Sequence, residues 1–118
     1  MIGAEVYATV SSETKVAHLM DNFNIPRNRI FQSRDKSFVN GVMRETEGSG
    51  MDVILNSLSG ELLHATWDCV AEFGVLVEIG KRDLIGSGKL DLKNFLANRS
   101  YCCVDIDQLW KKPVLLRG

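Results

Sequence analysis

Met51–Leu55 reads MDVIL and runs directly into Asn56–Glu61, NSLSGE. A short, nearly continuous apolar run bounded by a polar, glycine-containing turn reads as a buried strand. The turn leads into a helix expected around Glu61–Glu72, where Leu62, Leu63, Thr66, Val70 and Phe73 share one face. Gly74 is a fitting helix terminator, and Val75–Ile79 (VLVEI) is the next strand. Strand, polar loop, amphipathic helix and strand again is the unit that decides the fold.

The same alternation extends outward on both sides. Ala4–Val10 (AEVYATV) is a β-branched, apolar strand, and Ser11 or Ser12 can cap the helix that follows. Within Lys15–Phe23, Val16, Leu19, Met20 and Phe23 recur at helical spacing. Asn24-Ile25-Pro26 ends that helix, because the residue before a proline disfavours helical backbone. Ile30-Phe31 is a short strand and Ser33-Arg34-Asp35 a turn. Ser37 is expected to cap a helix with Phe38, Val42 and Met43 inward, stopped by Gly48-Ser49-Gly50. Downstream, Gly80–Leu90 reads as a loop, Leu92–Ala97 as a short helix, Ser100–Ile106 as a strand and Asp107–Leu116 as a helix. Apolar strands separated by amphipathic helices make this an α/β chain with a mainly parallel sheet covered on both faces.

Composition narrows the function classes. The chain has 118 residues, 14 Lys plus Arg, 15 Asp plus Glu and a net charge of −1. That balance argues against nucleic acid as a general partner, which calls for a basic face. No apolar run approaches the ~20 residues that span a bilayer, so a membrane is not expected as a partner. Met1–Val10 lacks the basic start and long apolar core of a signal peptide. Cys69, Cys102 and Cys103 are odd in number and have no CxxC spacing, and His18 and His64 lie far apart. The expectation is three reduced, buried thiols in a cytoplasmic protein, with no metal site.

In parallel α/β sheets, ligands sit at the carboxyl ends of the strands. After Val10 come Ser11, Ser12 and Lys15, hydroxyls and a cation with no acid at the strand tip. A ribose 2′-hydroxyl calls for an acid there and a 2′-phosphate for a base, so the loop favours NADPH over NADH. Helix capping by Ser12 with a solvated Lys15 explains the same residues. After Leu55, Asn56 and Ser57 place hydrogen-bonding groups at a strand end, as an ordinary turn also does. After Ile79, Gly80 permits close backbone approach, and Lys81 beside it is an acid, an anchor or a solvated cation. GxGxxG, GxSxG and the Walker lysine motif are absent, so the phosphate cradle expected of a nucleotide-binding sheet is missing.

The runs GAEVYATVSSETK (Gly3–Lys15), FQSRDKSFVNGVMRETEGSGMDVILNSLSGE (Phe31–Glu61) and FGVLVEIGKRD (Phe73–Asp83) stand in order and at family spacing. Together they resemble the enoyl reductase domain of highly reducing, fungal-type polyketide synthases and of fatty acid synthases. These domains form a zinc-free, quinone-reductase-like branch of the medium-chain dehydrogenase/reductase superfamily. The likeness runs from Gly3 to about Leu109. It implies a Rossmann-like, doubly wound sheet of strand order 3-2-1-4-5-6, in which this chain supplies strands 2 to 6. The first strand and its glycine-rich turn are then expected upstream, and residues 1–118 are expected to be a partial NADPH-binding subdomain. Three outcomes follow for the chain by itself: strand 2 pairs with strand 4, edges pair between chains as in a homodimer, or folding is poor.

The resemblance also implies roles. Ser12 and Lys15 match positions that receive the 2′-phosphate of NADPH, and Ser33 and Arg34 match the adenosine end. Asn56, Ser57 and Leu58 match the loop under the nicotinamide ribose, and Ile79 and Gly80 the backbone edge at the nicotinamide. Lys81 and Asp107 match the family's candidate proton donors, Asp107 rather than Asp105 by spacing. The implied reaction is reduction of an α,β-enoyl thioester on an acyl carrier protein, among the other domains of a synthase, with the isolated chain inactive. Two further readings stand beside it: a freestanding quinone or alkenal reductase, and a non-catalytic remnant within a synthase. A methyltransferase sheet fits less well, since Ser11-Ser12 supplies no acid for a ribose diol.

Overall fold

Ser12 takes extended backbone, and its hydroxyl accepts from the Lys15 backbone N–H at 3.3 Å. That bond satisfies one of the unpaired amides at a helix start and sets α1 over Glu13–Phe23, directly after β1, Ala8–Val10. Asn24 in the left-handed region (φ 55°) closes α1. A 3-10 turn at Arg27–Arg29 leads into β2, Ile30–Gln32, and α2 spans Phe38–Glu45. Then follow β3 (Met51–Asn56), α3 (Glu61–Trp67), β4 (Val70–Glu78), α4 (Arg82–Ile85), a 3-10 segment at Leu92–Asn98, and β5 (Ser100–Cys103). The computed structural model describes residues 3–106 and 108. Apart from Gln108, the expected helix Asp107–Leu116 therefore lies outside the described residues.

The strand pairings among the described residues are parallel, as expected, but the expected cover on both faces is not present: Val53 and Leu55 of β3 are 65% and 69% exposed. The chain forms two units, Met1–Gly50 and Met51–Gly118. The first carries a two-stranded sheet, β1-β2, and the second a three-stranded sheet, β3-β4-β5. These are the neighbours expected of strands 2 and 3 and of strands 4, 5 and 6 in the doubly wound order. The described strands are thus divided between two sheets rather than joined in one 3-2-4-5-6 sheet.

In the first unit Val16, Ile30, Phe38 and Val42 are buried. Met20 and Phe23, expected inward, are 39% and 62% exposed. Phe23 instead sets its ring edge-on to His18, with centroids 5.7 Å apart. Ser37 makes no side-chain cap. The Asp35 carboxylate accepts from the Ser37 N–H at 2.9 Å in its place, and bonds from Ser37 hold the Asp35 carboxyl below its usual value.

The second unit closes on Leu63, Trp67, Val70 and Leu76, with Ile54, Leu90 and Tyr101 packed around them. Burial of each such side chain contributes roughly 1.5–3 kcal/mol. Trp67 Nε1 donates to the Asp91 carbonyl at 2.9 Å, and Arg99 Nε donates to the Val70 carbonyl at 2.9 Å, fastening the Leu92–Asn98 segment.

The third helix ends at Trp67, not near Glu72, because Met51 N donates to the Cys69 carbonyl at 2.7 Å and draws Val70 into the sheet. Phe73, expected on the buried helix face, has φ 61° and is 74% exposed. Gly74 is therefore no helix terminator but a residue inside β4. The Gly80–Leu90 loop contains a helical turn, α4. The Leu92–Ala97 helix is a 3-10 segment broken at Leu96 and Ala97.

A Cβ at Gly74 would meet the carbonyl oxygens of Ala71 at 2.8 Å and of Asp52 and Met51 at 3.0 Å. These are backbone atoms that cannot swing aside. Gly74→Ala is expected to destabilise the second unit by about 1–3 kcal/mol, read as a lower urea midpoint by tryptophan fluorescence.

Of the three thiols expected to be buried only Cys69 is, Cys102 and Cys103 being exposed on β5; desolvation, followed by the charge of Asp68, pushes the Cys69 thiol up to about 11 from 9.0. The folded state therefore holds this proton more tightly than the unfolded chain. The resulting stability is complete below pH 9 and is lost as pH rises towards 11. The loss is expected to reach roughly 2–3 kcal/mol, and Cys69→Val should remove that part of the alkaline fall in urea midpoint.

Candidate functional site

Two clusters collect the residues singled out by the sequence, one in each unit. In the first, Ser33 N donates to the Val10 carbonyl at 2.9 Å, so the turn after β2 is tied to the end of β1. Arg34 then reaches the same end and donates from Nε to the Ser11 carbonyl at 2.7 Å. Lys15, one turn into α1, donates from Nζ to Ser11 Oγ at 2.8 Å. Two exposed cations, one from α1 and one from the turn after β2, thus converge on Ser11. Of the acids nearest in sequence, Glu13 accepts from Arg27 at 3.2 Å and from Gln32 at 3.4 Å, and Asp35, beside Arg34, accepts from the Ser37 N–H at 2.9 Å. A pair of cations beside hydroxyls, with the carboxylates of Glu13 and Asp35 bonded to other groups, suits a phosphate dianion. Ser12, Lys15, Ser33 and Arg34 are therefore brought together, with Ser12 also serving as helix cap. The convergence of Arg34 on Ser11 is what the sequence did not reveal.

The second cluster occupies the carboxyl ends of β3 and β4. A cavity of about 180 Å³ is lined there by Ser57, Leu58, Ser59, Glu78, Gly80 and Lys81, with Arg82 and Asp83 at its side. Ile79 N donates to the Asn56 carbonyl at 2.9 Å, continuing the ladder to the rim. Gly80 passes so close to the neighbouring loop that a Cβ would stand 3.2 Å from the Ser57 carbonyl. Asp83 accepts from the Gly60 N–H at 2.8 Å and so joins α4 to the start of α3.

Lys81 Nζ pairs with Asp105 at 3.0 Å, both side chains about two-fifths exposed. Asp107, matched to a proton-donor position by the resemblance, lies outside the described residues. Ser57, Leu58, Gly80 and Lys81 line the cavity, and Ile79 sits at its edge in the ladder. Asn56 is different: it is buried at 2% exposure, its amide turned inward to Glu78 and Leu58. Glu78 is the functional residue that sequence reasoning passed over. Its one signal is an acid placed second from last in the apolar run VLVEI, where burial of a charge demands partners.

Residues 28–106 match the zinc-binding dehydrogenase family. The chain is 74% identical over its whole length to the highly reducing polyketide synthase sphB of Aspergillus fumigatus, and covers 5% of that protein. It is 61% identical over 90% of its length to the highly reducing polyketide synthase pspA of Penicillium soppii, covering 4% of it. The chain thus spans about one-twentieth of the length of these curated relatives. Among solved structures it is similar to the nucleotide-binding subdomain of the enoylreductase domain of PpsC from Mycobacterium tuberculosis. That match has a TM-score of 0.84 and 31% identity, and covers 98% of this chain and 64% of the other.

The family name carries zinc. Among the described residues no three His, Cys, Asp or Glu come together in a way that holds a metal ion, so these residues do not fit one. No helix among the described residues is long and apolar enough to cross a membrane. On the match over residues 28–106, the chain belongs to the zinc-binding dehydrogenase family, and within that family its sequence and fold resemble the enoyl reductase domains of polyketide synthases.

Proposed function

We propose that this chain is the nucleotide-binding part of an NADPH-dependent enoyl reductase that acts on α,β-enoyl thioesters carried within a polyketide synthase. The observation that carries the reading is the cavity at the ends of β3 and β4, where a glycine backbone edge and a lysine ammonium adjoin. The likeness to polyketide synthase enoyl reductases over the whole chain supports it.

In the first unit, Ser12, Lys15 and Arg34 hold the 2′-phosphate, since charge-assisted bonds from lysine and arginine are the strong ones. Ser33 ties the Arg34 turn to β1. In the second unit, Ser57 and Leu58 face the nicotinamide ribose, and Ile79 and Gly80 offer their backbone to the nicotinamide. The bound cofactor supplies the hydride. Lys81 Nζ stabilises negative charge developing on the thioester side of the substrate and delivers the proton to the α-carbon, a general-acid contribution of typically 10²–10⁴-fold. Asp105 orients that ammonium, and Asp107 is the second candidate acid.

The test uses the synthase that carries this stretch, with a crotonyl-pantetheine thioester and a quinone as competing substrates. The expected result is NADPH-dependent reduction of the thioester in preference to the quinone. Lys15→Ala combined with Arg34→Ala should raise the KM for NADPH about 10–100-fold and leave that for NADH nearly unchanged. Lys81→Ala should lower kcat about 10²-fold or more. Preference for the quinone, or equal use of NADH and NADPH by the unaltered enzyme, overturns the reading.

A further inference from the structure

Glu78 is 3% exposed at the carboxyl end of β4, where the sheet meets the cavity. A buried carboxylate is costly unless hydrogen bonds replace its water. Three neutral groups donate to it. Asn56 Nδ2 lies 3.1 Å from both carboxylate oxygens, the Tyr101 hydroxyl is 3.3 Å from Oε1, and the Gly80 N–H is 3.3 Å from Oε2.

An ionised carboxylate only accepts. That fixes which way the Asn56 amide turns. Nδ2 faces Glu78 and also donates to the Leu58 carbonyl at 2.9 Å, while Oδ1 accepts from the Leu58 N–H at 3.2 Å. Both hydrogens of the Asn56 amide are thereby engaged inside the protein, and the Ser57–Leu58 loop is clamped by them. On its other side Glu78 holds the first amide beyond Ile79, that of Gly80. Burial, and after it the charge of Glu78, pushes the Tyr101 phenol above its usual value, so the phenol stays a donor. One carboxylate therefore links the loops that follow β3 and β4, the loops that line the cavity.

We infer that Glu78 is a positioning residue: through Asn56 and the Gly80 N–H its acceptor-only carboxylate locks the Ser57–Leu58 loop and the Gly80 edge into one preformed rim. The inference rests on the proposed function only for its kinetic consequence. In a glutamine at this position an amide NH₂ replaces one acceptor oxygen and faces Asn56 Nδ2 together with either the Tyr101 hydroxyl or the Gly80 N–H, so hydrogen-bond polarity and not side-chain size is what the rim requires. Asn56→Asp combined with Glu78→Gln restores a donor facing an acceptor across the pair but removes the bond from Asn56 Nδ2 to the Leu58 carbonyl.

The test is amide hydrogen exchange on the full 118-residue chain. Glu78→Gln is expected to speed exchange at Leu58 and Gly80 about tenfold or more, with Val16 in the first unit and Leu76 in the core of the second unchanged. The double variant should return the Gly80 amide to within about threefold of the unaltered chain and the Leu58 amide only in part. In the synthase, Glu78→Gln should raise the KM for the nicotinamide cofactor about tenfold, more than it lowers kcat, and the double variant should recover most of the loss. Unchanged exchange in Glu78→Gln overturns the inference. So does equal acceleration at Leu76 in both variants, which marks Glu78 as a general core residue. Exchange that changes as expected, with unaltered kinetic constants, upholds the rim and counts against the enoyl reductase reading.

Discussion

The second unit depends on one close backbone approach. Gly74 lies against the carbonyls of Met51 and Asp52, a space no side chain can share. Between the pairs Met51↔Val70 and Val53↔Val75, β3 advances by two residues while β4 advances by five. The surplus is taken up around Phe73, whose positive φ throws its ring outward. Beyond that irregularity the ladder runs evenly to Asn56↔Glu78. In a parallel sheet, partners in register share a face, and a one-residue slip would send one of them to the other side. The buried Asn56–Glu78 pair is thus a consequence of a glycine four residues upstream of the glutamate. Tyr101, opposite Leu76 on β5, falls on the diagonal from which its hydroxyl reaches the same carboxylate.

The first unit is organised differently. Its interactions at the β1 tip are exposed and individually weak, since surface charge pairs contribute roughly 0–1 kcal/mol. Arg34 and Lys15 both bond to Ser11, yet these bonds add little to stability. Their effect is geometric: the backbone carbonyl and hydroxyl of one residue gather two long, flexible cations at one strand end. Pre-gathering removes much of the ordering cost that a multiply charged ligand would otherwise impose on them.

How much of this was legible in the sequence follows from the same physics. Strands β3 and β4 announce themselves by their apolar runs, although burial of both faces does not account for β3, whose Val53 and Leu55 are 65% and 69% exposed. The Ser12 cap and the Asn24 stop are local, and local signals survive into the structure. The end of α3 was not legible. Val70 and Phe73 continue the helical spacing of Leu63 and Thr66, and only a contact from outside the segment, Met51 N to the Cys69 carbonyl, breaks the helix there. The inward turn of Met20 and Phe23 failed for a related reason: a periodic stripe gives a face, not the extent of what covers it. At the site, Ser57, Gly80 and Lys81 were readable as strand-end residues. Glu78 was not, because its meaning lies in Asn56, a partner 22 residues away.

Lys81 shows how the two levels combine. It stands at the N-cap of α4 and bonds through no side-chain cap, which leaves the ammonium directed outward to Asp105. A pair this exposed adds at most about 1 kcal/mol to stability, so stability does not account for its place. Position does. Val104 N donates to the Glu78 carbonyl at 2.9 Å, extending the β4–β5 ladder one step past Cys103 and delivering Asp105 just beyond the sheet. The backbone of Glu78 thereby sets the acid that holds Lys81, while its side chain sets the rim beside which Lys81 stands. A single residue at the end of β4 ties the neutral hydrogen-bonding wall of the cavity and its charged corner to the same ladder.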